Sequence, residues 1–342
     1  MKRFLVKYEE LISNEINYDF SDKKIIDIDL RGLDEGEDKN IIIISRRNAL
    51  LKRILVKMTN LGFCLYKHEK YISSLVHQSE IKKIWGRVTN GELNTYKSLI
   101  YSLEKPVLVD EFPKRLVVVF SSISEGLYSS SLSVRYFWKN FKTIGKYIPQ
   151  NSYILRIADI GGVVGSYYLN NIFSDKVESH IQELINSFCE SKGIDIKSDV
   201  VLFGVSKGGT AALYYSLLGG YQAVSIDPIV SDDYYLNEWN DRHFTEGVFP
   251  ITKQEKFEAL LSSDLKINNA FVIYSERSPQ YKYINSIVKN SRNGRFINFL
   301  NSIHPKIKDH SDVAPMTLNI STALINGIFY GILKSNCDKT II

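Results

Sequence analysis

The residues best placed to do chemistry centre on one serine in a glycine-rich turn. Ser206 lies within the segment Gly204–Gly209, between an apolar run at 200–203 and a helix-compatible run at 212–218. A strand, a Gly-x-Ser-x-Gly turn and a helix in this order are typical of a nucleophile elbow, in which a tight turn exposes the serine hydroxyl. Glycines are expected on both sides of the serine because side chains there would collide. The alternative is an ordinary strand–turn–helix with a capping serine.

A serine hydroxyl becomes nucleophilic when a histidine takes its proton and a carboxylate orients that histidine. His310 and His304 follow the last predicted strand, and we favour His310 because its polar segment leads directly into the closing helix. Glu276 and Asp227 are acids at the ends of two later strands. We favour Glu276, whose strand usually provides the acid, and keep Asp227 in reserve. The segment 275–278 departs from the common Gly-x-x-Asp pattern and has a serine at its last position.

A reacting carbonyl oxygen gains negative charge and needs hydrogen-bond donors. The backbone N–H of Lys207, at the start of the helix after the serine, is one candidate. The loop after a preceding strand usually provides the second donor, which predicts the backbone N–H of Ser122 or Ile123, after an apolar run at 116–120. A plain serine-rich turn is the alternative here.

The elements that must position these residues alternate between strand and helix. Apolar runs predict strands at 116–120, 153–159, 200–203, 223–227, 271–274 and 295–300, with an amphipathic helix over 175–192 and a closing helix over about 313–333. Such alternation indicates a doubly wound, mostly parallel sheet of the α/β class, whose sites lie at the carboxyl ends of the strands.

The chain divides into two predicted regions. Residues 106–342 carry the α/β pattern and the candidate catalytic residues, whereas residues 1–105 form a mixed α/β region of unknown role. In this first region Ile41–Ile44 is a candidate buried strand and Ala49–Met58 has helical spacing. Arg46 and its neighbour Arg47, at the end of that candidate strand, are candidate phosphate ligands, although an ordinary solvated loop is the favoured interpretation.

An aromatic and charged segment at 231–262 interrupts the alternation and predicts a cap over the site. Tyr234, Tyr235 and Trp239 are candidate surfaces on which sugar rings would stack, and Arg242 is a further candidate substrate contact. A packed surface excursion is the alternative.

Composition excludes several classes of function. The net charge of +5 comes from 43 basic and 38 acidic residues spread along the chain, without the basic block typical of nucleic-acid binding. Three separated cysteines without metal-ligand spacing suit reduced thiols, and no apolar run resembles an export signal or a membrane span. We therefore expect a cytoplasmic protein without a metal site, nucleic-acid partner or permanently bound cofactor.

Three stretches of the chain resemble a known family. The segments 203–215, 225–230 and 304–310 are similar to those of the XcbB/CpsF-type capsular polysaccharide biosynthesis proteins of bacteria, and the similarity extends over about 110–335. The elbow itself is shared with the whole α/β-hydrolase superfamily. The resemblance implies an α/β-hydrolase-like domain and a cytoplasmic role in making or modifying a capsule.

Combined with the site, this resemblance predicts acyl transfer through an acyl-serine, most usefully O-acetylation of a capsule glycan from acetyl-CoA. The basic side chains of Lys207, Arg242 and Arg277 are candidate contacts for the CoA phosphates or for a phosphate-linked glycan. The alternatives are a carbohydrate esterase or deacetylase, in which water accepts the acyl group, and a non-catalytic interaction module. The expected partners are a capsule polysaccharide or oligosaccharide and other capsule-assembly proteins.

Overall fold

The structure is a computed structural model that describes residues 2–13, 19–264, 267–333 and 340–342. Its strands are β1 (Arg3–Lys7), β2 (Ile25–Asp29), β3 (Phe63–Glu69), β4 (Ile72–His77), β5 (Asn94–Tyr96), β6 (Leu99–Glu104), β7 (Arg115–Phe120), β8 (Ser152–Ile157), β9 (Val200–Val205), β10 (Gln222–Ile226), β11 (Ala270–Tyr274), β12 (Asn298–Asn301) and β13 (Thr340–Ile341).

The helices that connect and cover these strands include several short turns. They are α1 (Tyr8–Ser13), α2 (Ile41–Ser45), α3 (Ala49–Asn60), α4 (Ile81–Ile84), α5 (Gly86–Thr89), α6 (Leu132–Tyr136), α7 (Val177–Lys192), α8 (Lys207–Gly219), α9 (Asp233–Trp239), α10 (Lys253–Ser262), α11 (Tyr281–Tyr283), α12 (His310–Met316) and α13 (Leu318–Phe329). A π-helical turn, Ile284–Lys289, continues α11.

The larger sheet has nine strands in the order β13-β12-β11-β10-β9-β7-β8-β6-β5. All pairs from β13 to β8 are parallel, whereas β6 and β5 add an antiparallel edge. The order reverses at β7, which pairs with both β8 and β9. An antiparallel edge pair followed by this inversion is the strand order of the α/β-hydrolase fold, which confirms the predicted fold class.

The central strands are apolar along their whole length because helices cover both faces of the sheet. In β9, Val200 and Leu202 pack into the core beneath α7 and α8. Val201 and Phe203, which alternate with them, pack into the core beneath α13. The sheet is therefore held rigidly where β9 ends, at the turn that carries the candidate nucleophile.

The smaller sheet, β1-β2-β4-β3, packs with α3 near the amino terminus. The strands β5 and β6, which precede the predicted boundary at residue 105, pair with the larger sheet instead. Residues 94–104 therefore belong to the larger sheet, and the division of the chain into two regions at residue 105 stays a prediction.

Two predicted elements of secondary structure were wrong. Residues 41–44 form helix α2 instead of a strand, because the Asn40 side chain accepts hydrogen bonds from the backbone N–H groups of Ile42 and Ile43 and caps a helix start. The closing helix is broken into α12 and α13 at Thr317, two residues after Pro315. Within the described ranges, no helix combines the length and apolar character needed to cross a membrane.

Candidate active site

The turn between β9 and α8 places Ser206 in a backbone conformation that non-glycine residues rarely adopt. Its φ is 56° and its ψ is −118°, a strain of about 1–3 kcal/mol that the surrounding structure must support. A Cβ at Gly204 would lie 2.0 Å from the Gly208 carbonyl oxygen, and a Cβ at Gly208 would lie 2.3 Å from the Phe120 carbonyl oxygen. The flanking glycines therefore let β7, the turn and α8 approach one another closely, as the sequence predicts.

The imidazole of His310 lies between the serine and a carboxylate. His310 Nε2 lies 2.7 Å from Ser206 Oγ, and His310 Nδ1 lies 2.6 Å from Asp227 Oδ2. His310 is the first residue of α12, where a capping box formed by Asp309 and Asp312 fixes the helix start. The structure thus brings together the predicted serine, the favoured histidine and the reserve acid.

Asp227 is held directly beyond the end of β10. Its side chain is almost completely buried, and its backbone N–H donates to the Ile273 carbonyl oxygen at 2.7 Å. A φ of 43° turns the carboxylate toward His310. Ser278 Oγ donates to the same Asp227 Oδ2 at 2.5 Å. Sequence reasoning did not assign a role to Ser278, although its position where an aspartate is often found was the available signal.

The structure does not bring Glu276 or His304 to this arrangement. Glu276 is exposed, and the turn after β11 directs its side chain into a neighbouring surface cavity rather than toward the imidazole. His304 Nδ1 accepts a hydrogen bond from the backbone N–H of Lys306. For the acid, the sequence preference of Glu276 over Asp227 is therefore reversed by geometry.

The candidate oxyanion donors lie beside the serine. Ser122 and Ile123, after β7, line the same cavity as Ser206. The N–H of Ser121 is already engaged with Tyr168 Oη at 2.6 Å. The N–H of Lys207, in the first turn of α8, has no intrahelical acceptor. The backbone N–H of Ser121 is therefore not available to an oxyanion. Lys207, Ser122 and Ile123 stay the candidate donors.

The Lys207 side chain is not available to a ligand. It is fully buried, and its Nζ forms an ion pair with Asp159 Oδ2 at 2.8 Å. The angles of this contact do not meet those of a hydrogen bond. Asp159 also accepts the backbone N–H groups of Ser166, Tyr167 and Tyr168. The predicted contact of this lysine with CoA phosphates is therefore wrong, because its charge is neutralised beneath the elbow.

A cavity of about 490 Å³ opens above Ser206 and His310. One wall comes from the predicted cap and contains Tyr234, Tyr235, Trp239 and Arg242. The Arg242 guanidinium carbon lies 5.2 Å from the centre of the Trp239 ring, which is 46% exposed. A second surface cavity shares Tyr234 and Trp239 with the first and includes Glu276.

Arg277 lies at the rim of the sheet, away from both of these cavity walls. Its guanidinium donates to the carbonyl oxygens of His304 and Ile307 at 2.9 and 3.4 Å. These contacts hold the segment between β12 and α12, which carries the chain to His310.

The amino-terminal region holds the cap wall in place. Arg46 donates to the carbonyl oxygens of Trp239 and Asn240 at 2.8 and 2.7 Å. Lys52 Nζ donates to the Asn240 carbonyl oxygen at 2.9 Å and pairs with Asp241 Oδ2 at 3.3 Å. The phosphate contact considered for Arg46 is thus replaced by backbone contacts that connect α2 and α3 to the substrate cavity.

The described residues contain no cluster of histidine, cysteine and carboxylate side chains that could hold a metal ion. Burial raises the pKa of Tyr235 in the cavity wall and of Tyr168 beneath the loop after β7. Both phenols therefore stay protonated at neutral pH, so each can donate a hydrogen bond.

No family model matches this chain, and no curated protein sequence matches it. Among solved structures it is similar to the capsule O-acetyltransferase of Neisseria meningitidis serogroup A, with 15% identity and a TM-score of 0.48 over 68% of this chain and 93% of that chain. It is also similar to FphF, a fluorophosphonate-binding serine hydrolase of Staphylococcus aureus, with 16% identity and a TM-score of 0.45 over 69% and 93%.

A third similar structure is an S-formylglutathione hydrolase from Agrobacterium tumefaciens, with 11% identity and a TM-score of 0.44 over 68% of this chain and 89% of that chain. At such low identity these are likenesses of fold alone. Membership of the XcbB/CpsF-type group stays a prediction.

A serine hydroxyl that faces a cavity and is hydrogen-bonded to an imidazole, itself hydrogen-bonded to a buried carboxylate, is the arrangement with which enzymes transfer or hydrolyse acyl groups. The strand order and this site together define an enzyme of the α/β-hydrolase fold, of the acyltransferase or esterase class.

Proposed function

We propose that the protein transfers an acyl group through a covalent acyl-serine at Ser206. The observation that carries this proposal is the pair of contacts made by His310, 2.7 Å to the serine oxygen and 2.6 Å to the Asp227 carboxylate. A histidine with its Nδ1–H donated to a carboxylate presents an unprotonated Nε2 to the hydroxyl, which is the state needed to accept a proton.

In the first half-reaction, Ser206 Oγ attacks the carbonyl carbon of the acyl donor while its proton passes to His310 Nε2. Asp227 stabilises the imidazolium that forms. The developing oxyanion is bound by the N–H of Lys207 and an N–H of Ser122 or Ile123. When the intermediate collapses, the bond to the leaving group breaks and His310 returns the proton to that group, leaving the acyl-serine.

In the second half-reaction, an acceptor hydroxyl gives its proton to His310 as its oxygen attacks the acyl carbon. The bond to Ser206 Oγ then breaks, and the serine recovers its proton from the imidazolium. We propose that the acceptor is a hydroxyl of a capsule glycan and the donor is acetyl-CoA, which places the protein in the cytoplasm. The resemblance to capsule biosynthesis proteins and the aromatic cap wall, with Trp239 exposed for ring stacking, support this choice.

Labelling with a fluorophosphonate probe tests the serine chemistry. We expect the wild-type protein to be labelled and Ser206→Ala not to be labelled, because the probe reacts only with an activated serine. A wild-type protein that stays unlabelled would favour a non-catalytic interaction module. Glu276→Gln serves as a control that alters a nearby acid without touching the imidazole.

Incubation with acetyl-CoA and capsule oligosaccharides tests the transfer. We expect release of CoA together with acetylated oligosaccharide, neither of which Ser206→Ala should produce. CoA or acetyl-ester cleavage that yields only free acetate would favour an esterase or deacetylase. Absence of both CoA release and acetylated product would count against transfer from acetyl-CoA.

A further inference from the structure

A second histidine, His243, belongs to the cavity but not to the triad. It lies in the cap segment and is only 5% exposed, yet it lines the cavity that contains Ser206 and His310. Its ring centre lies 4.0 Å from that of Tyr235. The mechanism above leaves His243 without a role.

A single contact fixes which nitrogen of His243 carries the proton. Nδ1 lies 2.8 Å from Tyr167 Oη. Burial raises the pKa of Tyr167, so this phenol keeps its proton. Among the described residues, His243 Nδ1 is the hydrogen-bond acceptor available to the Tyr167 hydroxyl. The arrangement that satisfies both groups therefore has Tyr167 donating to Nδ1, with the imidazole proton on Nε2.

The surroundings also keep His243 uncharged. Burial lowers its pKa well below the usual value, and the positive charges of Lys253, Arg242 and Lys207 act in the same direction, as does His310 when it carries a proton. The lysines and the arginine come from α10, from α8 and from the cap segment itself, so they act on the imidazole from three elements. His243 is thus a neutral hydrogen-bond donor rather than a cation or a proton carrier.

The other ring nitrogen, Nε2, has no hydrogen-bond partner among the residues that the structure describes. Within the described chain, Nε2 makes no hydrogen bond, although the ring lines the cavity and its other nitrogen is fixed. A ligand oxygen bound in the cavity would give this donor a fixed partner, and one such hydrogen bond is worth about 0.5–1.5 kcal/mol. The residue therefore has the properties of a preorganised binding group.

We infer that His243 Nε2–H donates a hydrogen bond to an uncharged oxygen of the acceptor, which is a hydroxyl or ring oxygen of a sugar. This contact positions the acceptor before it attacks the acyl-serine. The inference rests on the proposed function and assigns its acceptor side. His243 and Tyr235 stand on the cap wall, whereas the oxyanion donors after β7 and at Lys207 serve the acyl carbonyl.

The partition of the acyl-enzyme between a sugar and water measures this role. p-Nitrophenyl acetate would supply the acyl group and methyl β-D-glucopyranoside or methyl α-D-mannopyranoside would accept it, with acetylated glycoside and free acetate quantified together. We expect His243→Phe to lower the ratio of glycoside acetate to free acetate by about tenfold, the value of one hydrogen bond near the upper end of the usual range. p-Nitrophenol release and fluorophosphonate labelling should change by less than about twofold, because acylation does not use this donor.

Two matched variants separate binding from structure. His243→Gln retains an N–H donor and should keep the ratio of glycoside acetate to free acetate within about threefold of wild type. Tyr167→Phe removes the hydroxyl that holds the imidazole proton on Nε2, and should lower this ratio by about two- to threefold. An unchanged ratio in His243→Phe, or equal losses in the Phe and Gln variants, would overturn the inference. Wild-type protein that releases p-nitrophenol but acetylates neither glycoside would overturn it as well and leave the serine chemistry standing. Loss of labelling in the wild type would instead remove the proposed function.

Discussion

Replacing Asp227 by asparagine removes the negative charge that faces His310 while keeping the shape of the side chain. The carboxylate oxygen lies 2.6 Å from His310 Nδ1. At an effective dielectric constant of about 20, a charge pair at this separation is worth about 6 kcal/mol when the imidazole becomes protonated in the transition state. Converted to a rate, this energy is a factor of about 10⁴, which is the loss that removal of the triad carboxylate causes in serine proteases.

The assay is kcat/KM for p-nitrophenyl acetate hydrolysis, with fluorophosphonate labelling as a second readout. We expect Asp227→Asn to lose about four orders of magnitude. Glu276→Gln should stay within about twofold of wild type, because an exposed side chain outside the catalytic cavity contributes little. Melting temperatures of both variants would show whether either change unfolds the protein. A folded Asp227→Asn protein with activity within tenfold of wild type, or a severe loss in Glu276→Gln, would refute the geometric choice of acid.

Three other outcomes follow from buried contacts. Ser278→Ala should lower kcat/KM by about tenfold by removing a hydrogen bond to Asp227, with unchanged KM; an effect confined to KM would contradict this role. Lys207→Met should reduce the free energy of unfolding in urea by about 3–5 kcal/mol, because the Asp159 charge is left buried without its partner; a loss under 1 kcal/mol would show that the pair is dispensable. Because burial lowers the pKa of His243 in the folded protein, below about pH 6.5 the unfolded chain binds a proton at this residue and the folded protein does not. The free energy of unfolding therefore decreases as the pH is lowered, by up to about 1.4 kcal/mol per pH unit. The fall measured from pH 7 to pH 5 should be shallower in His243→Gln, and identical slopes would exclude this assignment.

The elbow could be predicted from sequence because its requirements are local. The strand, the glycines on both sides of Ser206 and the following helix are adjacent in the chain, and the contact that excludes a side chain at Gly204 lies within the same turn. The alternation of apolar runs and helices also predicted the mostly parallel sheet, but not the inversion at β7 or the antiparallel strands β5 and β6. The structure therefore agrees with the sequence where neighbouring residues determine the conformation.

The acid could not be chosen in the same way. Asp227 and Glu276 both follow parallel strands that end at one edge of the sheet, so sequence order alone permits either. The positive φ of Asp227 and its contact with Ser278 decide between them, and both are tertiary features. Lys207 gives the same lesson, because a lysine beside a nucleophile suggests a ligand contact until its buried partner Asp159 is seen.

Short apolar runs are a further limit. Four consecutive isoleucines suit a strand by composition, but the Asn40 side chain provides the hydrogen bonds that begin a helix. A run of this length has no period that separates the two conformations. Capping contacts, rather than propensity, therefore determine the structure of Ile41–Ser45.

The contacts of Arg46 and Lys52 with residues 239–241 bear on how this protein can be re-engineered. A chimeric protein that contains only the nine-stranded sheet and the triad would keep the reacting groups. It would lose the contacts that hold one cavity wall in place. Exchange of the cap between related proteins would remove the same contacts unless α2 and α3 were exchanged together with it. The shape of this cavity wall is consequently determined by two segments almost two hundred positions apart, which a design would have to transfer together.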